Sequence, residues 1–86
     1  MEVIKIKDRV LLKRLIEKSK DKPGLQNLYR RRLAIAILSD IRTSQRESKE
    51  TVETIFKMIM SRDVENLTVA EVLLEQIIKN HNGEEK

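Results

Sequence analysis

Cysteine and tryptophan are absent from this 86-residue sequence, glycine occurs twice and proline once. Without cysteine there is no disulfide framework, thiolate zinc site or thiol nucleophile. Two glycines and one proline are too few for the tight turns of an all-β fold. They also exclude a glycine-rich phosphate loop of the GxxxxGK[ST] or GxGxxG kind. Tyr29 and Phe56 are the only aromatic residues, so no stacking platform for single-stranded nucleic acid exists. The longest apolar run, residues 33–38, falls far short of the ~20 residues that span a bilayer. The first seven residues show no apolar core followed by small residues, the pattern of a signal peptide. The expectation is a soluble, cytoplasmic, mostly helical protein with residues 1–86 forming one domain and no membrane contact.

What the chain does have is aliphatic residues and charge. Leu, Ile and Val number 26, enough for a core in a chain whose size allows roughly 60–65% of the unfolded surface to be buried. The formal net charge is +4, unevenly placed: residues 1–22 and 23–46 each carry +4, and residues 47–86 carry −4. A basic half joined to an acidic half can face nucleic acid on one side and protein on the other. Equally, the two halves can pack together with attracting rims. Plentiful Lys, Arg, Glu and Ile without Cys also fit a protein from a hot habitat, where charged networks become more favourable.

Periodicity divides the chain into four helices, a compact all-α bundle, up-and-down or orthogonal. Residues 1–7 alternate in part, but no second strand follows to pair with them, so they read as an extended arm or a fraying extra turn of helix. Asp8 is an N-cap candidate, and Leu11, Leu12, Leu15 and Ile16 form the apolar stripe of helix one. Arg9, Lys13, Arg14, Lys18 and Lys20 make its outer face basic. Lys22-Pro23-Gly24 is expected to end it, because Pro cannot continue the hydrogen-bond ladder. Helix two is expected over residues 25–42, and its centre is apolar on every side, which marks it as the central helix. Near its start, Arg30, Arg31 and Arg32 fan over roughly 200° as a collar.

The polar link that follows contains no Gly or Pro. Ser44 and Glu47 have capping-box spacing, so helix three is expected to begin near Ser44, or to join helix two through a kink. Val52, Ile55, Phe56, Ile59 and Met60 give the cleanest amphipathic stripe, and Arg62-Asp63 closes the helix. Helix four is expected to start at Thr68 as N-cap, with Glu71 at N3 and Leu67 stapled on Val72. Asn82-Gly83 supplies its stop, leaving residues 83–86 as a loose tail. The core is expected to hold Ile35, Ile37, Leu38, Ile55, Phe56 and Ile59.

The residues for catalysis are sparse. The single histidine, His81, sits in a last helical turn, where its charge is favoured. Glu71 and Glu75 are one turn apart, but no His lies at i+3 of either, as a carboxylate metal motif requires. The expectation is a non-enzyme with no metal and no cofactor.

Two binding readings compete. Phosphate contact would use Arg9, Lys13, Arg14, Lys18, Lys20, Arg30, Arg31 and Arg32. A helix-turn-helix with the residue 44–51 end of helix three in a major groove can also be drawn. Against it, that end carries Glu47, Glu50 and Glu53, and only Gln45 and Arg46 are strong base readers. Protein interaction is favoured. The apolar residues of helix four span about 200°, wider than the ~100° one core contact needs. Spare apolar surface on a small protein marks a partner site. The face expected is Val69, Val72, Leu73 and Ile77, offered to a larger protein or to a second copy. The resulting expectation is an accessory subunit of a larger, nucleic-acid-processing assembly, with a self-sufficient DNA-binding protein as the alternative.

Overall fold

A computed structural model of the chain describes the backbone of residues 9–84 and the side chains of residues 9–80. The arm of residues 1–7, the Asp8 cap, the His81 side chain and residues 85–86 lie outside what is described. Among the described residues there are four helices, α1 (Arg9–Lys18), α2 (Pro23–Thr43), α3 (Lys49–Met60) and α4 (Val64–Glu84), and no strand. The fold is an all-α four-helix bundle.

Successive helices run antiparallel. Arg9 at the start of α1 pairs with Asp40 near the end of α2, while the Gln26 Nε2 near the start of α2 donates to the Ile16 carbonyl at the end of α1, 3.0 Å. Arg31 in the first half of α2 reaches the last turn of α3. Arg30 of α2 reaches Thr68 and Glu71 in the first half of α4. The arrangement is therefore up-and-down.

Among the described residues, α2 alone touches each of the other three helices. That is why its centre is apolar all round: every flank needs a match. Ala34, Leu38 and Ile41 join Ile55 and Ile59 of α3 and Leu67, Ala70 and Leu74 of α4 in one core. Ala36, about 200° round from Ala34, is buried on the far side, where α1 brings the buried Leu12. Of the six residues expected in the core, Leu38, Ile55 and Ile59 are buried, and Ile35 and Ile37 are half-buried against it. Phe56 is not core: it is 45% exposed. Residues at positions 52, 55, 56, 59 and 60 span about 140° of the helix, and Phe56 and Met60 occupy the edge turned away from α4.

The ends of the helices differ from expectation at several points. α1 stops at Lys18, ahead of Lys22-Pro23-Gly24, because the buried Ser19 satisfies its last carbonyls. Ser19 Oγ donates to the Leu15 carbonyl at 2.7 Å. Pro23 instead opens α2, two residues earlier than expected, at the first helical position, where its missing N–H costs nothing.

α2 and α3 are separate helices, and α3 does not begin near Ser44. Gln45 adopts φ 56°; its N–H donates to the Arg42 carbonyl, and the Arg46 N–H donates to the Ile41 carbonyl. These are the two bonds of a Schellman stop, formed without the usual glycine. α3 then starts at Lys49 on Ser48, whose hydroxyl accepts from the Thr51 N–H at 3.2 Å. It ends at Met60, ahead of Arg62-Asp63.

Helix four starts a full turn before Thr68. Asp63 is its cap: Asp63 Oδ1 accepts from the Glu65 N–H at 3.0 Å. Thr68 lies inside the helix, its hydroxyl donating to the Val64 carbonyl. Leu67 is fully buried in the core and Val72 is half exposed, so no staple joins them. Helix four also runs through Gly83 to Glu84, so Asn82-Gly83 is no stop and the expected tail is helical as far as Glu84.

Candidate interaction surface

α2 and α3 lie side by side, and α4 covers one flank of the pair. The other flank is an open groove of about 630 Å³. Leu38 forms part of its lining while also belonging to the core. Ile35, one residue on from the buried Ala34, and Phe56, one residue on from the buried Ile55, are each turned about 100° out of the core and line the groove with Val52. Leu28 and Met60 are exposed on the same sides of their helices. The polar lining stands at one end and along the rim: Arg42, Gln45, Lys49 and Glu53 are all exposed, with Glu47 half-buried between them. No polar side chain among the described residues is buried without a hydrogen bond. The groove therefore offers an apolar strip bordered by solvated charge, rather than a pocket with convergent polar groups.

The arginine collar is divided among three tasks. Arg30 Nε and Nη2 donate to Glu71 Oε2 and Oε1 at 2.9 and 2.6 Å. Its Nη1 donates to Asn27 Oδ1, and Nη2 also to Thr68 Oγ1. The hydrogen bond and charge of Glu71 raise the Arg30 pKa above its ordinary value, against a smaller opposing effect of burial. Arg31 Nε donates to the Ile59 carbonyl at 3.2 Å and its Nη2 to the Ser61 carbonyl at 3.0 Å. It thus places a cation on the C-terminal carbonyls of α3, where the helix dipole favours one. Arg32 alone of the three is exposed.

Of the remaining basic candidates, Arg9 is paired with Asp40. Lys13, Arg14 and Lys18 are exposed on α1, and Lys20 is exposed in the turn beyond it beside Glu17. The structure thus leaves Lys13, Arg14, Lys18 and Arg32 on the surface, pairs the exposed Lys20 with Glu17 at 3.1 Å, and gives Arg9, Arg30 and Arg31 partners on other helices or their ends.

On α4, Val69, Val72 and Leu73 are exposed, Ile77 is half-buried against the core, and Ala70 and Leu74 are fully covered. Leu73 and Ile77 line a second, smaller groove of about 390 Å³ between α4 and α3, whose other lining is mostly polar: Glu47, Glu50, Thr51, Thr54, Gln76 and Asn80. The α2–α3 groove was missed in the sequence because its residues fall on the same stripe as true core residues. Its one signal was the 140° width of that stripe, greater than a single core contact requires.

Among the described residues no group of three His, Cys, Asp or Glu is placed to hold a metal, and no helix is long and apolar enough to cross a membrane. A scan of the sequence against protein-family models gives no match, and neither curated proteins nor solved structures give a significant one.

Proposed function

We propose that this chain is a non-enzymatic helical interaction module, an accessory subunit that docks a partner protein in the α2–α3 groove. One observation carries the reading: the sole Phe of the chain stands 45% exposed beside the concave strip of Ile35, Leu38 and Val52. Aromatic side chains at the centre of an apolar patch, ringed by polar residues, are where binding energy concentrates. The groove has room for the apolar face of a helix laid along it. The exposed face of α4 is the lesser candidate, because the groove beside it, reached by Leu73 and Ile77, is smaller, at about 390 Å³, and is lined mostly by polar residues.

The test compares two surface variants, Phe56→Glu and Val72→Glu, each first shown by circular dichroism to keep its helicity. Tagged protein is used to capture binding proteins from its own cells. The reading expects proteins held by the wild type and by Val72→Glu to be lost with Phe56→Glu. The reverse pattern would place docking on α4.

A second reading, contact with nucleic-acid phosphate, is supported by the exposed Lys13, Arg14 and Lys18 on one helix. Phosphate binding weakens steeply as salt rises. Titration with duplex DNA at two salt concentrations separates it from the first reading, which expects little binding at either.

A further inference from the structure

We infer that the α2–α3 groove takes an amphipathic helix of a partner protein, with carboxylates flanking its apolar face; the inference rests on the groove being the docking face. The charge along the two walls carries it. On α2, Leu28, Arg32, Ile35, Ser39 and Arg42 recur at alternating spacings of four and three residues, which sets them in one row along the helix. The row has a cation on either side of Ile35 and no anion. On α3 the facing wall holds Lys49, Val52 and Phe56, with Glu53 beside them. Arg32, Arg42, Lys49 and Glu53 form no ion pair with any described residue of their own chain, whereas Glu47 is already engaged within it. Three available cations therefore border the strip against one available anion.

The opposite flank of the same two helices shows what such walls accept. There α4 is laid along α2 and α3, and its Leu67, Ala70 and Leu74 enter the core. Beside those apolar residues α4 carries Glu71, which takes two hydrogen bonds from Arg30 of α2. Arg32 lies about 200° round α2 from Arg30, next to the open flank, and has no such carboxylate. A partner helix with the pattern of α4 would fill the strip and supply one. Arg32 and Arg42 are ten residues apart, about 15 Å along α2, so two acidic residues at the same separation on one edge of the partner meet both. Nucleic acid would satisfy the cations but set Ile35, Val52 and Phe56 against a charged backbone, with a single aromatic residue for bases to stack on. A second copy of this groove, set face to face, brings the same excess of cations and is repelled.

The experiment is fluorescence anisotropy of two labelled helical peptides titrated with the full chain. Both carry Leu at i, i+3 and i+7. One has Glu and the other Lys at the flanking positions. The Glu peptide is expected to bind at least roughly tenfold more tightly than the Lys peptide. Arg32→Glu with Arg42→Glu should reverse that preference, and both residues are exposed, so the fold is kept. Lys13→Glu with Arg14→Glu, an equal change of net charge on the outer face of α1, should leave the preference in place. Phe56→Glu, shown by circular dichroism to stay helical, should abolish binding of both peptides.

Failure of the chain to bind either peptide overturns the inference, as does a loss of preference as large with the α1 pair as with Arg32 and Arg42. If the two peptides bind equally and both depend on Phe56, the acidic flank is wrong and the docking face stands. Self-association that Phe56→Glu abolishes, without peptide binding, would instead seat a second copy in the groove. Binding that ignores Phe56 overturns both the inference and the docking face.

Discussion

Replacing Ile59 by Ala should cost far more stability than replacing Phe56 by Ala, although both residues lie on α3 three positions apart. Ile59 is 0% exposed and belongs to the core shared by α2, α3 and α4. Its truncation removes three carbon groups at about 0.8 kcal/mol each. With the cavity left behind, the total is roughly 3–4 kcal/mol, within the range for such substitutions. A buried Phe would cost about 3–5 kcal/mol. Phe56 already has 45% of its surface in water, and its loss leaves an open groove instead of a closed cavity. Its cost should be about 1–2 kcal/mol. The whole domain is worth on the order of 4–13 kcal/mol, so Ile59→Ala consumes a large share of it.

Urea denaturation followed by circular dichroism measures both costs. The protein should be kept at low micromolar concentration, so that self-association adds nothing to the apparent stability. Ile59→Ala should lower the melting temperature by at least ~10 °C. A Phe56→Ala loss equal to or greater than that of Ile59→Ala would refute the division of α3 into a core edge and a surface edge.

Other substitutions probe the ends of the helices and the collar. Asp63→Ala should cost about 1 kcal/mol by removing the cap of α4, whereas Thr68→Ala, inside the helix, should stay within about 0.5 kcal/mol; equal losses in thermal melts would argue for the later start. Gln45→Gly should raise stability by roughly 0.5–1 kcal/mol, since glycine takes positive φ without strain; a lower denaturation midpoint would contradict the Schellman stop. Arg30→Met should cost roughly 1–3 kcal/mol by leaving the half-buried Glu71 carboxylate without its bidentate partner, while Arg32→Met should be near neutral in the same melts. Because the Arg30 pKa is raised, its contribution is fully present below the ordinary arginine pKa and lost only as pH rises through the higher folded value. The stability difference between wild type and Arg30→Met should therefore not shrink from neutral to mildly alkaline pH. If duplex DNA is bound at all, replacing Lys13, Arg14, Lys18 and Lys20 with Gln should flatten the salt dependence; an unchanged slope would remove α1 from any phosphate contact.

The helix count, their order and the central place of α2 were legible in the sequence. Each depends on local periodicity, and a helix apolar on all sides can only be surrounded. The cap of α4 was not legible. Asp63 and Thr68 are both good N-caps by residue type, and what decides between them is Leu67, whose complete burial requires the preceding turn to be helical already. The stop after α2 was hidden for a related reason. Glycine usually marks a left-handed residue, and Gln45 takes that conformation because the chain must reverse there to lay α3 against α2.

For the surface, the sequence determined the inventory: a triple arginine, a basic first helix, and more apolar residues on the helices than one contact face uses. Only the tertiary structure decided how that inventory is spent. It turned Arg30 and Arg31 inward onto Glu71 and the end of α3, because both lie on the sides of α2 that meet other helices. It left Phe56 outside, because α4 covers only one flank of the α2–α3 pair. A helical wheel gives the angle between residues but not the direction in which a neighbour lies, and that direction separates a core residue from a docking one.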